Sequence, residues 1–379
     1  MLTMKLKALK LRFYPNEEQA QALAQTFGCV RYSYNEILRR RTNAYYNDGE
    51  SIGYSGASAM LTSLKKETGV EWLKDVSAVP LQQAIRHQQS AFKNFFEKRA
   101  KNPKFKKRNS RQSATYSCAG YIYKDGQLKL AKMSEPLDIR WSYDKPDKIS
   151  TVVVSKDCAD RYFVSILIEF DPKPLPVATK RIGVDLGVRD LMVTSDGFKS
   201  GTLKLTSKYA DKLVYAQQHL AKKTKGSNRR NKARIKVAKI HAKIADIRCD
   251  NIHKISRKLV NENQVIAFED LNVAGMVKNR SLSKSISDMG WGELVRQCEY
   301  KGDWAGRQVV KINRFFPSTK RCSSCGYTLD SIKLDVKLWD CPECGTKHDR
   351  DINAAKNILA AGQAVLARGV TGAGACANA

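Results

Sequence analysis

Ile182-Gly183-Val184-Asp185-Leu186-Gly187-Val188 is the stretch on which the reading of this chain turns. Its apolar and glycine residues predict a buried strand, and one acid, Asp185, stands among them. An ionised carboxylate there is costly unless something compensates it, and a bound divalent cation would do so. Two further acids occupy comparable places. Glu269 ends the apolar strand Val265-Ile266-Ala267-Phe268, and Asp351 opens a helix after Asp349-Arg350. Ends of two strands and a helix can converge, although about eighty residues separate each acid from the next. Hard cations such as Mg²⁺ or Mn²⁺ prefer oxygen clusters of this kind. Two such ions about 4 Å apart can activate water and stabilise the leaving oxygen of a phosphodiester. Singly, each acid reads equally well as a helix cap or an ion-pair partner. The ordered set of Gly-x-Asp-x-Gly, Glu-Asp-Leu after an apolar strand, and Asp-x-Asn-Ala-Ala after a cysteine cluster points to chemistry.

That cysteine cluster is Cys322-Ser-Ser-Cys325, fifteen residues, then Cys341-Pro-Glu-Cys344, the spacing of a four-cysteine zinc ribbon. Gly326 and Gly345 follow the two pairs and suit the tight turns that bring backbone amides toward thiolates. Four thiolates leave no open position, so the zinc is expected to be structural. A thioredoxin-like redox pair is the alternative, and His348 is read as a surface residue rather than a substitute ligand. The other six of ten cysteines are scattered singly and form no disulfide framework.

Composition supplies the partner class. With 67 Lys and Arg against 37 Asp and Glu, the formal charge is +30, which a compact fold tolerates best beside a polyanion. An apolar fraction of 42% is ordinary for globular domains, and the length allows two or three of them. No run of about 18 apolar residues is present to span a bilayer. Lys5, Lys7, Lys10 and Arg12 interrupt the N-terminal apolar residues, so no secretory leader is read there, and a cytoplasmic, nucleoid-associated location is expected. From Lys93 to Arg111 there are nine basic residues and one acid, and between Lys212 and Ala245 no acid at all. A charge run is often only a solvated face. The one-sidedness of these two favours phosphate contact, with Lys104, Lys106, Lys107, Arg108, Arg229, Arg230 and Arg234 as candidates.

Along the chain, Leu9 to Phe13 alternates as a strand. Asn16 with Gln19 resembles a capping box opening a helix to about Tyr46, and a second helix covers roughly Leu81 to Lys98. Strand periodicity takes over from Ala114 to Phe170, with a hairpin turn at Asp125-Gly126. Pro172, Pro174 and Pro176 mark the main domain boundary. Beyond it, Leu191 to Thr194 is expected to pair with the Asp185 strand. Lys208 to Val260 forms one or two long helices broken near Gly226-Ser227-Asn228. Trp291 to Trp304 is helical, Val309 to Ile312 a strand, and Ile352 to Ala361 a final helix.

Four stretches together carry a resemblance: Ile182 to Val188, Phe268-Glu-Asp-Leu-Asn272, Phe316-Pro-Ser-Thr-Lys-Arg-Cys-Ser-Ser-Cys-Gly326 and His348-Asp-Arg-Asp-Ile-Asn-Ala-Ala-Lys-Asn-Ile358. They resemble the motifs of TnpB proteins, the insertion-sequence products long called transposase OrfB and related to type V CRISPR effectors. Lys10 to Pro15, Ala91 to Phe96 and Pro103 to Lys107 follow the family's order more loosely. The resemblance implies an α/β fold: an RNase H-like (RuvC) nuclease domain with an inserted zinc ribbon, preceded by a β-barrel wedge domain with a helical insert. On it, the wedge takes 1–14 and 102–177, a helical recognition domain 15–101, the nuclease domain 178–314 and 350–364, the ribbon 315–349 and a disordered tail 365–379. It implies RNA-guided cleavage of double-stranded DNA by a protein that is monomeric in the complex, a dimer being the alternative. The guide RNA would come from the element's end, with base pairing supplying sequence discrimination. Zn²⁺ is then structural, Mg²⁺ or Mn²⁺ catalytic, and Asp185, Glu269 and Asp351 are the catalytic acids, Asp349 being the alternative for the third. Asn251 departs from the family, which has an aromatic residue there. A guide-independent DNA transposase and a non-catalytic zinc-ribbon repressor are the competing functions.

Overall fold

The computed structural model describes residues 4–333 and 335–369, and the chain divides into two units, 1–171 and 172–379. The first begins with β1 (Lys5–Phe13), longer than its expected core, with Leu9, Leu11 and Phe13 turned inward and lysines between them. The capping box forms as read: the Asn16 side chain accepts from the Gln19 amide and the Gln19 side chain accepts from the Asn16 amide. It opens α1 (Glu17–Asp48), which Gly49 ends at φ 68°, a conformation that costs glycine least. Helix α2 (Tyr54–Leu64), within a stretch given no helix by the sequence reading, buries Ala57, Leu61 and Leu64. Next comes α3 (Ala78–Phe96).

Strands β2 (Gln112–Tyr116), β3 (Tyr121–Lys124), β4 (Gln127–Leu130), β5 (Ile139–Arg140), β6 (Thr151–Lys156) and β7 (Tyr162–Phe170) complete this unit. Asp125 and Gly126 take φ 52° and 74°, the paired left-handed residues that a two-residue hairpin between β3 and β4 needs. The main sheet is antiparallel in the order β2-β6-β7-β1-β5, with β2 and β5 as its edges. Its apolar face, with Leu11, Phe13, Val152 and Val164, shares one core with Leu23, Ile37, Leu81 and Ile85 of the helices.

The second unit opens with β8 (Arg181–Asp185), which stops at Asp185 rather than running to Val188. It pairs antiparallel with β9 (Val193–Thr194), as expected. Two short pieces follow, α4 (Leu205–Lys208) and α5 (Ala210–Ala221), before the long α6 (Asn228–Glu262). Ser227 caps α6 by accepting from the Arg230 amide, so the break falls where glycine and serine were read to put it. The rest comprises β10 (Val265–Glu269), α7 (Val273–Met276), α8 (Ser283–Met289), α9 (Trp291–Ala305), β11 (Gln308–Ile312), β12 (Leu338–Asp340), β13 (Lys347–Asp349) and α10 (Arg350–Ala367).

Strand order is β11-β10-β8-β9, the first three parallel and β9 antiparallel. A core of Ile182, Val184, Ile266, Phe268, Ile252, Leu259, Trp291 and Leu294 joins the sheet to α6 and α9. Asn251 lines a cavity of about 170 Å³ with Leu191, Arg248, Asp288 and Met289. The tail expected from 365 is corrected in part: Val365, Leu366 and Ala367 continue the helical spacing and belong to α10. Arg368 and Gly369 turn away from its end, and 370–379 lie outside the described residues. No helix of the described residues is long and apolar enough to cross a membrane.

Candidate active site

Register brings the first two acids together. Phe268 pairs with Val184 in the parallel ladder, so Glu269 and Asp185 are the next residues on neighbouring strands, at the same end. The third arrives on α10, which packs across β8, β10 and β11. Close approach depends on Gly183: a Cβ there would collide with the Ala355 carbonyl oxygen and stand 2.7 Å from the Leu359 amide nitrogen. Gly183 and Asp185 are two residues apart, on one face of the strand. Ala355 is one turn beyond Asp351 on the helix. The glycine thus lets α10 lie against the strand that carries Asp185.

Electrostatics record the proximity. Burial pushes the Asp185 carboxyl up to about 7 from its ordinary 3.8, and the neighbouring charges of Asp351 and Glu269 push the same way, with Arg350 opposing them. Burial also raises Glu269. Asp351 accepts from the Arg350 guanidinium at 3.0 and 3.1 Å, so its carboxylate is engaged by its own neighbour. Asp349 does different work. Its carboxylate caps α10 by accepting from the amides of Asp351 and Ile352, and it pairs with Lys199 at 2.7 Å. Those bonds hold it below the usual carboxylate range against the opposing effect of burial. At the rim, Asp270 pairs with Arg314 at 2.6 Å. Arg350, Lys199 and Arg314 were not singled out in the sequence, and nothing in their spacing marks them among 67 basic residues.

The four cysteines converge more tightly. Their sulfurs all lie within 4.8 Å of one another, the one such group among the described residues with ligand atoms that close. Cys322 and Cys344 stand 3.7 Å apart, Cys325 and Cys341 3.6 Å. A tetrahedral zinc with bonds of about 2.3 Å needs sulfurs roughly 3.8 Å apart, so the donor set fits that ion. Two matching turns build it. Gly326 at φ 85° donates to the Cys322 carbonyl and Gly345 at φ 66° to the Cys341 carbonyl. The Thr346 hydroxyl and amide draw the Cys344 thiol down to about 6, toward the thiolate that metals bind. His348 is not the surface residue read from sequence. It pairs across from Trp339 in the β12–β13 ladder, is buried against that ring at 4.8 Å, and sets Nε2 3.0 Å from the Cys322 sulfur. Hairpin pairing buried it, which linear spacing did not disclose.

The basic candidates separate into two kinds. Lys104, Lys107, Arg108 and Arg229 are exposed. Lys106 is folded onto Tyr34, its ammonium 4.5 Å from the ring centre, and its backbone amide donates to Asn35. Arg230 donates to the carbonyls of Leu220 and Lys223 and so closes the turn between α5 and α6. Arg234, half-buried, reaches Asn231 at 3.4 Å.

Known proteins similar to this chain give its family and a likeness of fold. A family model described as "Probable transposase" matches residues 165–280, one described as "Cas12f1-like, TNB domain" matches 291–358, and one described as "Helix-turn-helix domain" matches 1–50. Among the described residues of that last region there are one strand and a single unbroken 32-residue helix, not two helices about a turn. A "Putative RNA-guided DNA endonuclease" of Streptomyces pristinaespiralis is 48% identical, over 97% of this chain and 92% of that protein. The protein InsQ of Escherichia coli K12, with the same description, is 32% identical over 96% of this chain and 94% of its own length. Among solved structures, a Cas12f1–sgRNA–target DNA complex matches with a TM-score of 0.56 at 13% identity, covering 94% of this chain and 99% of that one, a likeness of fold.

Proposed function

The chain belongs to the TnpB family of insertion-sequence transposases, the OrfB group of IS605 type, and from that premise we propose that it is an RNA-guided DNA endonuclease. The observation that carries the catalytic part is the placement of Asp185 and Glu269 at the same end of neighbouring strands, beneath the helix that carries Asp351, where burial first and the charges of Asp351 and Glu269 with it push the Asp185 carboxyl up to about 7. A buried acid raised by its surroundings beside two further acids is a candidate cation site. Bound there, Mg²⁺ or Mn²⁺ supplies water activation and charge stabilisation at a phosphodiester. Asp185 and Glu269 present oxygens from a rigid sheet. Asp351 does so from the first turn of α10 once Arg350 releases it. Asp349 positions that helix, and is therefore assigned a structural place rather than the third ligand.

The parallel β8, β10 and β11 with antiparallel β9 and a covering α10 support an RNase H-like, RuvC-type nuclease domain at 178–314 and 350–364, to which 365–367 are added. The four cysteines are assigned a structural Zn²⁺ within a ribbon at 315–349, with His348 donating to the Cys322 thiolate and holding it in place. The antiparallel sheet of 1–14 and 102–177 is assigned the wedge, and the helices of 15–101 recognition. Guide RNA from the element's end and double-stranded target DNA are the partners, the protein acting as a monomer. Lys104, Lys107, Arg108 and Arg229 are assigned to phosphates directly, Arg234 beside them. Lys106 and Arg230 shape the surfaces that carry these contacts.

The test uses the protein purified with its RNA and a DNA matching that RNA. Mg²⁺-dependent cutting is expected, with at least a thousandfold loss in Asp185→Ala at unchanged RNA content. Cutting that survives this substitution would remove the assignment of the site.

A further inference from the structure

The C-terminal end of α3 carries an aromatic cluster for which the catalytic site has no use. Phe92 and Phe96 lie 6.3 Å apart at 22°, Phe95 abuts Phe96 at 5.3 Å, and Tyr45 meets Tyr46 edge to face at 5.6 Å. With Glu50, Ser51 and Asn102 these rings line a pocket of about 300 Å³ within the first unit. Tyr46 is 76% exposed and Phe96 68%, an arrangement folding alone does not favour. The floor beneath them is rigid. Buried Arg41 lies 4.3 Å from the centre of the Phe92 ring, and its guanidinium donates to Gln88, Gln89 and the Ile52 carbonyl.

The surroundings select the occupant. Phe96 is followed by Glu97 and then by Lys98, Arg99, Lys101 and Lys104, all exposed; Glu97 pairs with Arg99, and the three lysines leave the stretch beside the pocket net positive. Flat rings next to basic side chains are how proteins hold single-stranded nucleic acid: the rings stack on bases while the cations follow the phosphates. An apolar helix of a partner protein would gain nothing from that charge. Glu50 is the one acid among the lining residues. A carboxylate only accepts hydrogen bonds, and guanine presents two adjacent N–H donors on its pairing edge.

We propose that this pocket binds one unpaired guanine of a single strand, stacked on Phe96 and Tyr46 with its pairing edge on Glu50. The inference rests on the reading of the chain as a nucleic-acid-binding protein, and not on cleavage. Its test uses full-length Asp185→Ala protein freed of copurified nucleic acid by high salt. Two fluorescent RNA probes of about ten nucleotides are compared, one all uridine and one with a single central guanosine. The guanosine probe is expected to bind about 10-fold more tightly. Phe96→Leu and Tyr46→Leu should each abolish that preference, and Glu50→Gln should reduce it. All three positions are exposed, and unchanged melting curves verify that the variants fold. Equal affinity for the two probes, or a preference that survives Phe96→Leu, overturns the pocket alone. Failure to bind either probe overturns the nucleic-acid reading with it.

Discussion

Replacing Asp185 with asparagine should stabilise the protein when divalent cations are withheld. Folding carries this carboxyl from an ordinary 3.8 to about 7, a shift of about 3 units at roughly 1.4 kcal/mol each, or about 4 kcal/mol at the limit. Asp185 is only partly buried by exposed area, so solvent screening reduces the figure to about 2 kcal/mol. The sign follows from the direction. Below 3.8 the acid is protonated folded or unfolded and nothing is lost. Between 3.8 and about 7 the unfolded chain gives up its proton first and the penalty grows. Above 7 it is complete. At pH 8 the Asp185→Asn protein should therefore melt about 4–8 °C higher than wild type, for a unit of this size. By pH 4 the difference should vanish. Calorimetry in Mg²⁺-free buffer without chelator, which leaves zinc in place, measures it. Adding Mg²⁺ should raise the wild-type Tm and leave the variant's nearly unmoved. An asparagine protein no more stable than wild type at pH 8, or an advantage independent of pH, would refute the reasoning.

Gly183→Ala should separate Asp351 from Asp185, because the new methyl meets the backbone of α10; cleavage rate and Tm should both fall, and a variant with wild-type values for both contradicts the packing. Asp349→Asn should keep the cap, since asparagine caps as well as aspartate, and lower Tm only slightly through the lost Lys199 ion pair, about 0.5 kcal/mol, with most cleavage activity kept, whereas Asp351→Asn should lose cleavage by about a thousandfold or more. Comparing the two variants in the cleavage assay checks the assignment, and the reverse ranking sinks it. Cys341→Ser, or removal of zinc by a strong chelator, should unfold residues 315–349 and remove a protected segment from limited proteolysis, since metal binding there is folding. An unchanged digestion pattern speaks against a structural ion.

The Asp185 strand was legible because an acid inside an apolar run has few uses, and the cysteine pairs because their spacing is itself a geometry. The capping box at Asn16 and the hairpin at Asp125-Gly126 are local hydrogen-bond and φ signals, and both formed where the sequence placed them. What escaped is decided by partners far along the chain. His348 reads as a surface residue until β12 brings Trp339 across from it. Arg230 and Lys106 look like any basic residue until one closes a turn and the other settles on Tyr34. The motif that Asp351 opens favours it over Asp349, and the bonds by which Asp349 caps α10 are not visible in the spacing. Helix α2, bounded by Gly53 rather than a side-chain cap, lacks the start signal that announced α1.

The central claim is tested most directly by purifying the protein from its host, sequencing the RNA bound to it, and exchanging that RNA's guide segment for another. A discrete transcript ending at the element's boundary, and a DNA cut that moves to the new matching sequence, is the predicted result. Heterogeneous or absent RNA, or cutting indifferent to the exchanged segment, would contradict guided cleavage.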